Sequence, residues 1–217
     1  MEREKSLLIK VGSSGDFQRA VDRAADMLLS GGVVAFPTET FYGLAVDIRN
    51  DAAIRRLFSV KQRSANRPVL ILIDAVDALD PYVDHIPSVA RRLMNQFWPG
   101  GLTLVFKAGP GVSSLLTGDT QKIGIRLSSH PVATGLARAI GGPISGTSAN
   151  ISGRPACRTA GAVLKSLGQD IDLILDGGRT AGEAGSTVLD VTEHPLRILR
   201  EGVVTKADLQ AASFEII

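Results

Sequence analysis

Hydrophobic residues recur along this chain with two periods, one typical of helices and one typical of strands. From Asp16 to Leu29 they recur every three or four positions, and Gly31 follows as a stop signal. This pattern predicts an amphipathic helix with Asp16 as its N-cap. The same spacing predicts further helices over residues 51–60, 88–97, 131–140 and 159–167, and from residue 206 onward.

Short aliphatic and β-branched runs lie between the predicted helices. They predict strands at residues 33–36, 69–73, 102–106, 122–127, 172–175, 186–191 and 196–199. Helices and strands do not alternate strictly, and several strands follow one another near the end. This order favours an α/β protein with a mixed, twisted sheet over a purely parallel one. We find no repeat, low-complexity tract or linker, so we predict one domain.

Composition and charge narrow the functional classes. Of the 217 residues, 44% are hydrophobic and 21% are charged, which is typical of a globular protein with a sizeable core. The net charge of +2 gives little support for nucleic-acid binding. With Cys157 as the single cysteine and three scattered histidines, neither an internal disulfide nor a metal site is predicted. The N-terminus resembles no targeting signal and no run is long enough to span a membrane, so we expect a cytoplasmic protein.

Residues 143–159, PISGTSANISGRPACRT, combine glycines, short polar side chains and two arginines. Gly146 would let the backbone approach a ligand closely, and Ser148 and Asn150 carry hydrogen-bonding groups. A helix starting near Thr159 would direct free N–H groups the same way. The segment suits an anion-binding loop, but it suits a surface turn equally well.

A second polar segment, PTETFYGLAVD at residues 37–47, follows the first predicted strand, where open α/β sheets place their ligands. Thr40 is a candidate contact within it. Glu39 is either a general base or a solvated loop carboxylate, and residue type alone favours the second interpretation.

Two groups of cations add to these segments. Lys61, Arg63 and Arg67 follow the end of a predicted helix, where they would either stabilise the helix dipole or bind a polyphosphate. Arg126 interrupts an apolar strand and would either face solvent or bind a carboxylate. Nearby, His130 suits a helix cap better than a catalytic base.

A glycine-rich turn at residues 177–185 leads to Ser186, and Arg200 follows one strand later. The glycine spacing matches neither a P-loop nor a dinucleotide fingerprint. There is also no G-x-S-x-G motif and no Cys/His pair to indicate a hydrolase. Ordinary nucleotide-binding folds and common hydrolases are therefore not indicated.

In chain order, the segments PTETFYGL, KQR, WPGGLT, IRLSSHP, GTSANISG, GSTVLD and ILREG resemble the signature series of the YrdC-like threonylcarbamoyl-AMP synthases, in their short bacterial TsaC form. The resemblance covers residues 17–204. It implies a single α/β YrdC-like domain, whose twisted, mixed open sheet is flanked by helices and carries a concave basic cleft. We assign residues 13–204 to this domain, and residues 1–12 and 205–217 to terminal extensions packed on it.

The resemblance also implies an activity, the condensation of L-threonine, bicarbonate and ATP into threonylcarbamoyl-AMP and pyrophosphate for tRNA t6A37 modification. L-threonine would be bound by Thr40, Arg126, Gly146 and Ser186. ATP would be bound by Lys61, Arg63, Arg67, Lys122, Ser148, Asn150 and Arg200. Lys61 and Arg63 would also be catalytic, because they offset charge on the leaving pyrophosphate. Mg²⁺ would enter through the ATP phosphates, with no protein residue assigned to hold it.

Among the departures from the pattern of the family's relatives, three bear on nucleotide binding: Arg67 replaces an asparagine, Lys122 a small polar residue, and Ala156 a serine that contacts ATP. The resemblance implies small-molecule substrates, transient contacts with t6A transferase proteins of the TsaD, TsaB and TsaE type, and no membrane. tRNA or double-stranded RNA is a further candidate partner. Two alternatives stay open: an RNA-binding module of this fold without synthase activity, and a carbamoyl-adenylate former related to hydrogenase maturation proteins.

Overall fold

A computed structural model describes residues 7–12, 14–64 and 66–217. Residues 1–6, part of the predicted N-terminal extension, lie outside the described residues, as does Ser13, the predicted start of the domain. The predicted α/β class, with mixed open sheets flanked by helices, is confirmed. The strands form two sheets instead of one.

Strands and helices alternate irregularly along the described chain. The strands are Leu7–Lys10 (β1), Val34–Pro37 (β2), Tyr42–Ala45 (β3), Ile71–Ile73 (β4), Leu102–Lys107 (β5), Lys122–Leu127 (β6), Ile144–Ser145 (β7), Thr147–Ser148 (β8), Leu173–Asp176 (β9), Thr187–Asp190 (β10) and Arg197–Arg200 (β11). The helices are Ser14–Leu29 (α1), Asp51–Val60 (α2), Ser88–Phe97 (α3), Ser114–Thr117 (α4), Pro131–Ala139 (α5), Ala160–Leu167 (α6) and Lys206–Ala211 (α7).

The chain passes directly from one sheet to the other at Gly146. One sheet has the order β1-β9-β2-β3-β8 and the other has the order β11-β10-β5-β6-β4-β7. Both mix parallel and antiparallel pairs; β5, for example, is parallel to β10 and antiparallel to β6. Because β7 belongs to one sheet and β8 to the other, the chain crosses between them at Gly146. The sequence segment with the strongest anion-binding character therefore starts at the junction of the sheets.

Apolar faces of the helices cover both sheets. In α1, Val21 and Leu28 are buried and pack in one cluster with Leu136 of α5. Such burial of an aliphatic side chain stabilises a fold by about 1.5–3 kcal/mol. The predicted N-cap of the first helix is wrong, because α1 begins at Ser14 and Asp16 lies in its first turn.

The two ends of the described chain contact the sheets. In parallel register, β1 pairs with β9. Beyond α7, the backbone N–H of Ile217 donates to the carbonyl of Leu196 at 2.8 Å. The boundaries of the domain at residues 13 and 204 stay a prediction. Among the described residues, no helix has the length and apolar character needed to cross a bilayer.

Candidate active site

A cleft of about 570 Å³ is lined by residues from both sheets. The sequence-predicted residues that line it are Thr40, Arg63, Lys122, Arg126, Gly146, Ser148, Asn150, Ser186 and Arg200. Lys61 and Arg67 do not line it. The fold thus gathers into one cleft residues from segments that are far apart in the sequence.

Four arginines line the cleft, namely Arg63, Arg126, Arg154 and Arg200, and three of them show altered pKa values. Burial lowers the pKa of Arg63, Arg126 and Arg200, and the charge of Arg200 lowers the pKa of the other two further. Arginine is protonated at neutral pH even so. Among the described residues, the buried Nε atoms of Arg63 and Arg126 have no hydrogen-bond partner. Buried donors without partners are costly, and an anionic ligand would satisfy them.

Arg126 does not face solvent, because its side chain is only 6% exposed. Its Nη1 donates to Oε1 of Glu39 at 2.8 Å. The other carboxylate oxygen of Glu39 accepts a hydrogen bond from the Ser128 hydroxyl. The favoured interpretation of Glu39 as a solvated loop carboxylate is therefore wrong: it is the ion-pair partner of Arg126. Since Glu39 occupies Nη1, the unpartnered Nε side of the guanidinium remains for a ligand.

We expect Glu39→Gln to lower the free energy of unfolding by about 3 kcal/mol, because it removes the negative charge that is hydrogen-bonded to the buried Arg126. Urea denaturation would measure the change. The control is Arg138→Gln, which breaks an exposed pair with Asp74 and should cost less than about 1 kcal/mol. Equal losses in the two variants would contradict a stabilising role for Glu39.

Lys61 does not line the cleft, and its side chain contacts the backbone of the 148–152 loop. It is 2% exposed, and its Nζ donates to the backbone carbonyls of Ser148 and Asn150. Its own carbonyl accepts from the backbone N–H of Ser152 at 2.9 Å. Burial lowers the pKa of Lys61 to about 8, and the nearby charge of Arg63 contributes to this shift. Lys61 therefore contacts the loop backbone from behind, where the sequence predicted a residue facing ATP.

The loop is held by its own side chains as well. Nδ2 of Asn150 donates to the carbonyl of Ile151 at 3.0 Å, and the Ser148 hydroxyl donates to Oδ1 of Asn150. Thr159 caps α6, with its hydroxyl accepting from the N–H of Ala162 at 3.2 Å. The α6 N-terminus does not line the cleft, so the predicted contribution of this helix to the anion site is wrong.

Gly146 is needed for packing at the sheet junction. A Cβ atom there would lie 2.4 Å from Cδ1 of Leu70 and 2.8 Å from Cγ of Leu72. Its backbone N–H is already engaged, because it donates to the Leu70 carbonyl at 2.8 Å. The reason for the glycine is thus the close approach of β4, and not the approach of a ligand.

Two of the departures from the family pattern have structural consequences. Lys122 lines the cleft, but its Nζ forms ion pairs with Asp190 at 2.8 Å and with Glu193 at 3.2 Å, which raises its pKa. Arg67 is exposed and lies outside the cleft lining, although its charge lowers the pKa of Arg63. Both residues are therefore less directly placed for ATP than Arg63.

His130 is the N-cap of α5, and its Nδ1 accepts from the backbone N–H of Val132 at 3.3 Å. Its prediction as a cap is confirmed. Burial lowers its pKa, and the charge of Glu39 partly opposes this shift.

Comparison with known proteins identifies the family of this chain. The family model for Sua5, YciO and YrdC proteins, described as "Telomere recombination", matches residues 26–202. The chain belongs to the Sua5/YciO/YrdC family. It is 37% identical over 193 residues to the threonylcarbamoyl-AMP synthase of Pyrococcus abyssi, covering 89% of this chain and 57% of that protein. It is 37% identical over 185 residues to the Vibrio cholerae threonylcarbamoyl-AMP synthase, covering 84% of this chain and 97% of that protein.

A solved structure of a family member shares the fold. The crystal structure of P. abyssi Sua5 complexed with L-threonine matches with a TM-score of 0.91 and 33% identity, covering 97% of this chain and 62% of that one. The chain thus spans less than two thirds of the P. abyssi protein, but nearly all of the V. cholerae one.

This Sua5/YciO/YrdC-family cleft also contains residues that our sequence analysis did not assign to a substrate. Thr38, Thr103 and Arg154 line the cleft. Thr38 lies in the PTET segment and Thr103 in the WPGGLT segment, so the resemblance of those segments was a signal that could have found them. Nothing in residue type distinguished them from structural threonines.

Proposed function

We propose that this chain is an L-threonylcarbamoyladenylate synthase, which condenses L-threonine, bicarbonate and ATP into threonylcarbamoyl-AMP and pyrophosphate for tRNA t6A37 modification. One observation carries the proposal: Arg63, Arg126 and Arg200 line one cleft, and among the described residues the buried Nε atoms of Arg63 and Arg126 have no hydrogen-bond partner. All three reactants are anionic or carry a carboxylate, so such a cleft suits them.

The cleft residues divide into two groups. For L-threonine we propose Arg126, with its free guanidinium edge on the carboxylate, together with Thr40, Ser186 and the backbone at Gly146. For ATP we propose Arg63, Lys122, Ser148, Asn150 and Arg200, which line the cleft; Arg67 lies outside the lining, so we propose no direct contact for it. Lys61 would act through the loop that it holds.

In this reaction the protein contributes mainly by positioning the reactants. The unprotonated amine of threonine attacks the carbon of bicarbonate, whose hydroxyl leaves with an amine proton as water. An oxygen of the resulting carbamate then attacks the α-phosphorus of ATP as pyrophosphate leaves. Arg63 would offset negative charge on the leaving group. Mg²⁺ would reduce phosphate charge when bound. The described residues contain no group of three His, Cys, Asp or Glu side chains that could hold a metal, so we propose that Mg²⁺ enters with ATP.

The alternatives lack comparable support. Curated relatives at 37% identity are named threonylcarbamoyl-AMP synthases, and one family structure contains L-threonine. An RNA-binding module would need a basic surface, and the net charge of +2 does not favour one. We further propose a cytoplasmic enzyme that makes transient contact with t6A transferase proteins.

The decisive assay incubates the protein with ATP, bicarbonate and labelled L-threonine, and measures pyrophosphate and labelled adenylate. We expect both products, and neither when threonine or bicarbonate is omitted. Folded protein that releases no threonine-dependent pyrophosphate would contradict the proposal. Salt-dependent tRNA binding without turnover would instead support the RNA-binding alternative.

A further inference from the structure

We propose that Thr103 is a positioning residue, which fixes the hydroxyl of Ser186 as a hydrogen-bond donor into the cleft. Thr103 lies on β5, and Ser186 immediately precedes β10, the parallel neighbour of β5. Both side chains are buried, at 0% and 4% exposure, and both residues line the cleft. Only the identity of the ligand rests on the proposed function.

The Ser186 oxygen receives two hydrogen bonds from the protein. The Thr103 hydroxyl donates to it at 2.9 Å. Nη2 of Arg200 donates to it at 3.2 Å, and also donates to the Ser186 carbonyl at 2.8 Å. The Nε of Arg200 adds a second bond to this carbonyl at 3.2 Å. Ser186 is thus held through both its backbone and its side chain.

These contacts determine the direction of the remaining hydrogen bond. A hydroxyl oxygen has two acceptor positions and one proton, and a guanidinium can only donate. Because Thr103 and Arg200 fill both acceptor positions, the Ser186 proton must be donated elsewhere. No described residue accepts it. The hydroxyl is therefore available to donate to a ligand in the cleft, in place of water.

This direction restricts what the ligand presents to Ser186. A carboxylate oxygen, a hydroxyl oxygen or an unprotonated amine can accept the bond, whereas an ammonium group cannot. The charge of Arg200 beside the serine disfavours an ammonium group further. If the ligand is L-threonine, Thr103 thus helps to select its orientation in the cleft.

Two substitutions at one position separate hydrogen bonding from packing. Thr103→Val keeps the side-chain volume but removes the hydroxyl, and Thr103→Ser keeps the hydroxyl but removes a buried methyl group. We expect Thr103→Val to raise the KM for threonine about fivefold, as for loss of one hydrogen bond, with the KM for ATP and the melting temperature unchanged. Thr103→Ser should keep the KM for threonine but lower the melting temperature. If Thr103 acted only through packing, Thr103→Ser would raise the KM for threonine more than Thr103→Val would.

The test is completed by adding Thr103→Val to a Ser186→Ala variant. There it should raise the KM for threonine less than about twofold further, because the hydroxyl that Thr103 positions is already absent. An unchanged KM for threonine in Thr103→Val, or an equal rise for ATP, would overturn the inference. If the wild type releases no threonine-dependent pyrophosphate, the proposed function fails separately. Calorimetric titration with L-threonine then tests Thr103 directly: weaker binding to Thr103→Val than to Thr103→Ser supports the inference, and equal binding overturns it.

Discussion

Replacing Arg63 by alanine should reduce threonine-dependent pyrophosphate release about 100-fold or more while the protein stays folded. Arg63 lines the cleft, its Nε has no partner among the described residues, and its Nη2 makes one hydrogen bond, at 2.7 Å, to the carbonyl of Pro68. The alanine variant thus loses one hydrogen bond within the protein, whereas the other donors of the guanidinium suit an anionic ligand. Steady-state kinetics and a denaturation curve would measure both effects.

Arg67→Ala is the matched control for this experiment. It removes a neighbouring cation of the same chemistry, but Arg67 is exposed and lies outside the cleft lining. We expect less than a roughly threefold change in rate, as for a screened surface charge. An equal loss in both variants would mean that general positive potential, and not the Arg63 contact, supports the reaction. Arg63→Lys should recover part of the rate, because the charge is kept but the fork is lost.

Lys61→Met should inactivate the enzyme to a similar extent, about 100-fold, although Lys61 does not line the cleft. Methionine occupies similar space but cannot donate hydrogen bonds, so the carbonyls of Ser148 and Asn150 would lose their shared donor. We expect the free energy of unfolding to fall by about 2 kcal/mol at pH 7 as these buried carbonyls lose their partner. Activity assays and urea denaturation would measure the two effects.

The pH dependence of stability identifies Lys61 more specifically. Its pKa falls from 10.5 to about 8 in the folded protein. Between these values the unfolded chain binds more protons, so stability must rise with pH through this window. The wild type should therefore gain on the order of 3 kcal/mol relative to Lys61→Met between about pH 8 and 10.5, and nothing further below pH 8. If the free energy of unfolding changes with pH in the same way in both proteins, the lowered pKa of Lys61 is contradicted.

Elements with a clear hydrophobic period could be predicted from the sequence. The helices α2, α3, α5 and α6 begin and end within one residue of the prediction, because each buries one face on a sheet. The strands β1, β3, β7 and β8 were missed. They have two to four residues each, and β3 lies within a segment that begins with polar residues. Their strand geometry comes from pairing with distant segments, such as Gly43 with Ser148, which local periodicity does not reveal.

The roles of individual residues, like the helices and strands, could be predicted from the sequence only in part. The order of the motifs, through the family resemblance, was sufficient to choose Arg63, Arg126 and Arg200, whereas residue type alone left Arg63 and Arg126 between a structural and a binding role. The sequence could not separate Lys61 from Arg63, two residues apart at the end of one helix. Lys61 contacts the 148–152 loop, whereas Arg63 lines the cleft. Between them, Gln62 has a left-handed backbone conformation, with φ of 48°.

The sequence by itself thus determined the fold class, the family resemblance and the set of polar segments, because these depend on local hydrophobic pattern and on residue type. Tertiary structure alone decided how those segments act: Glu39 neutralises Arg126, Lys61 supports the loop, and Thr103 orients Ser186. Each of these contacts joins residues more than 80 positions apart. Hydrogen-bond direction and burial depend on such long-range neighbours, which only the folded chain brings together.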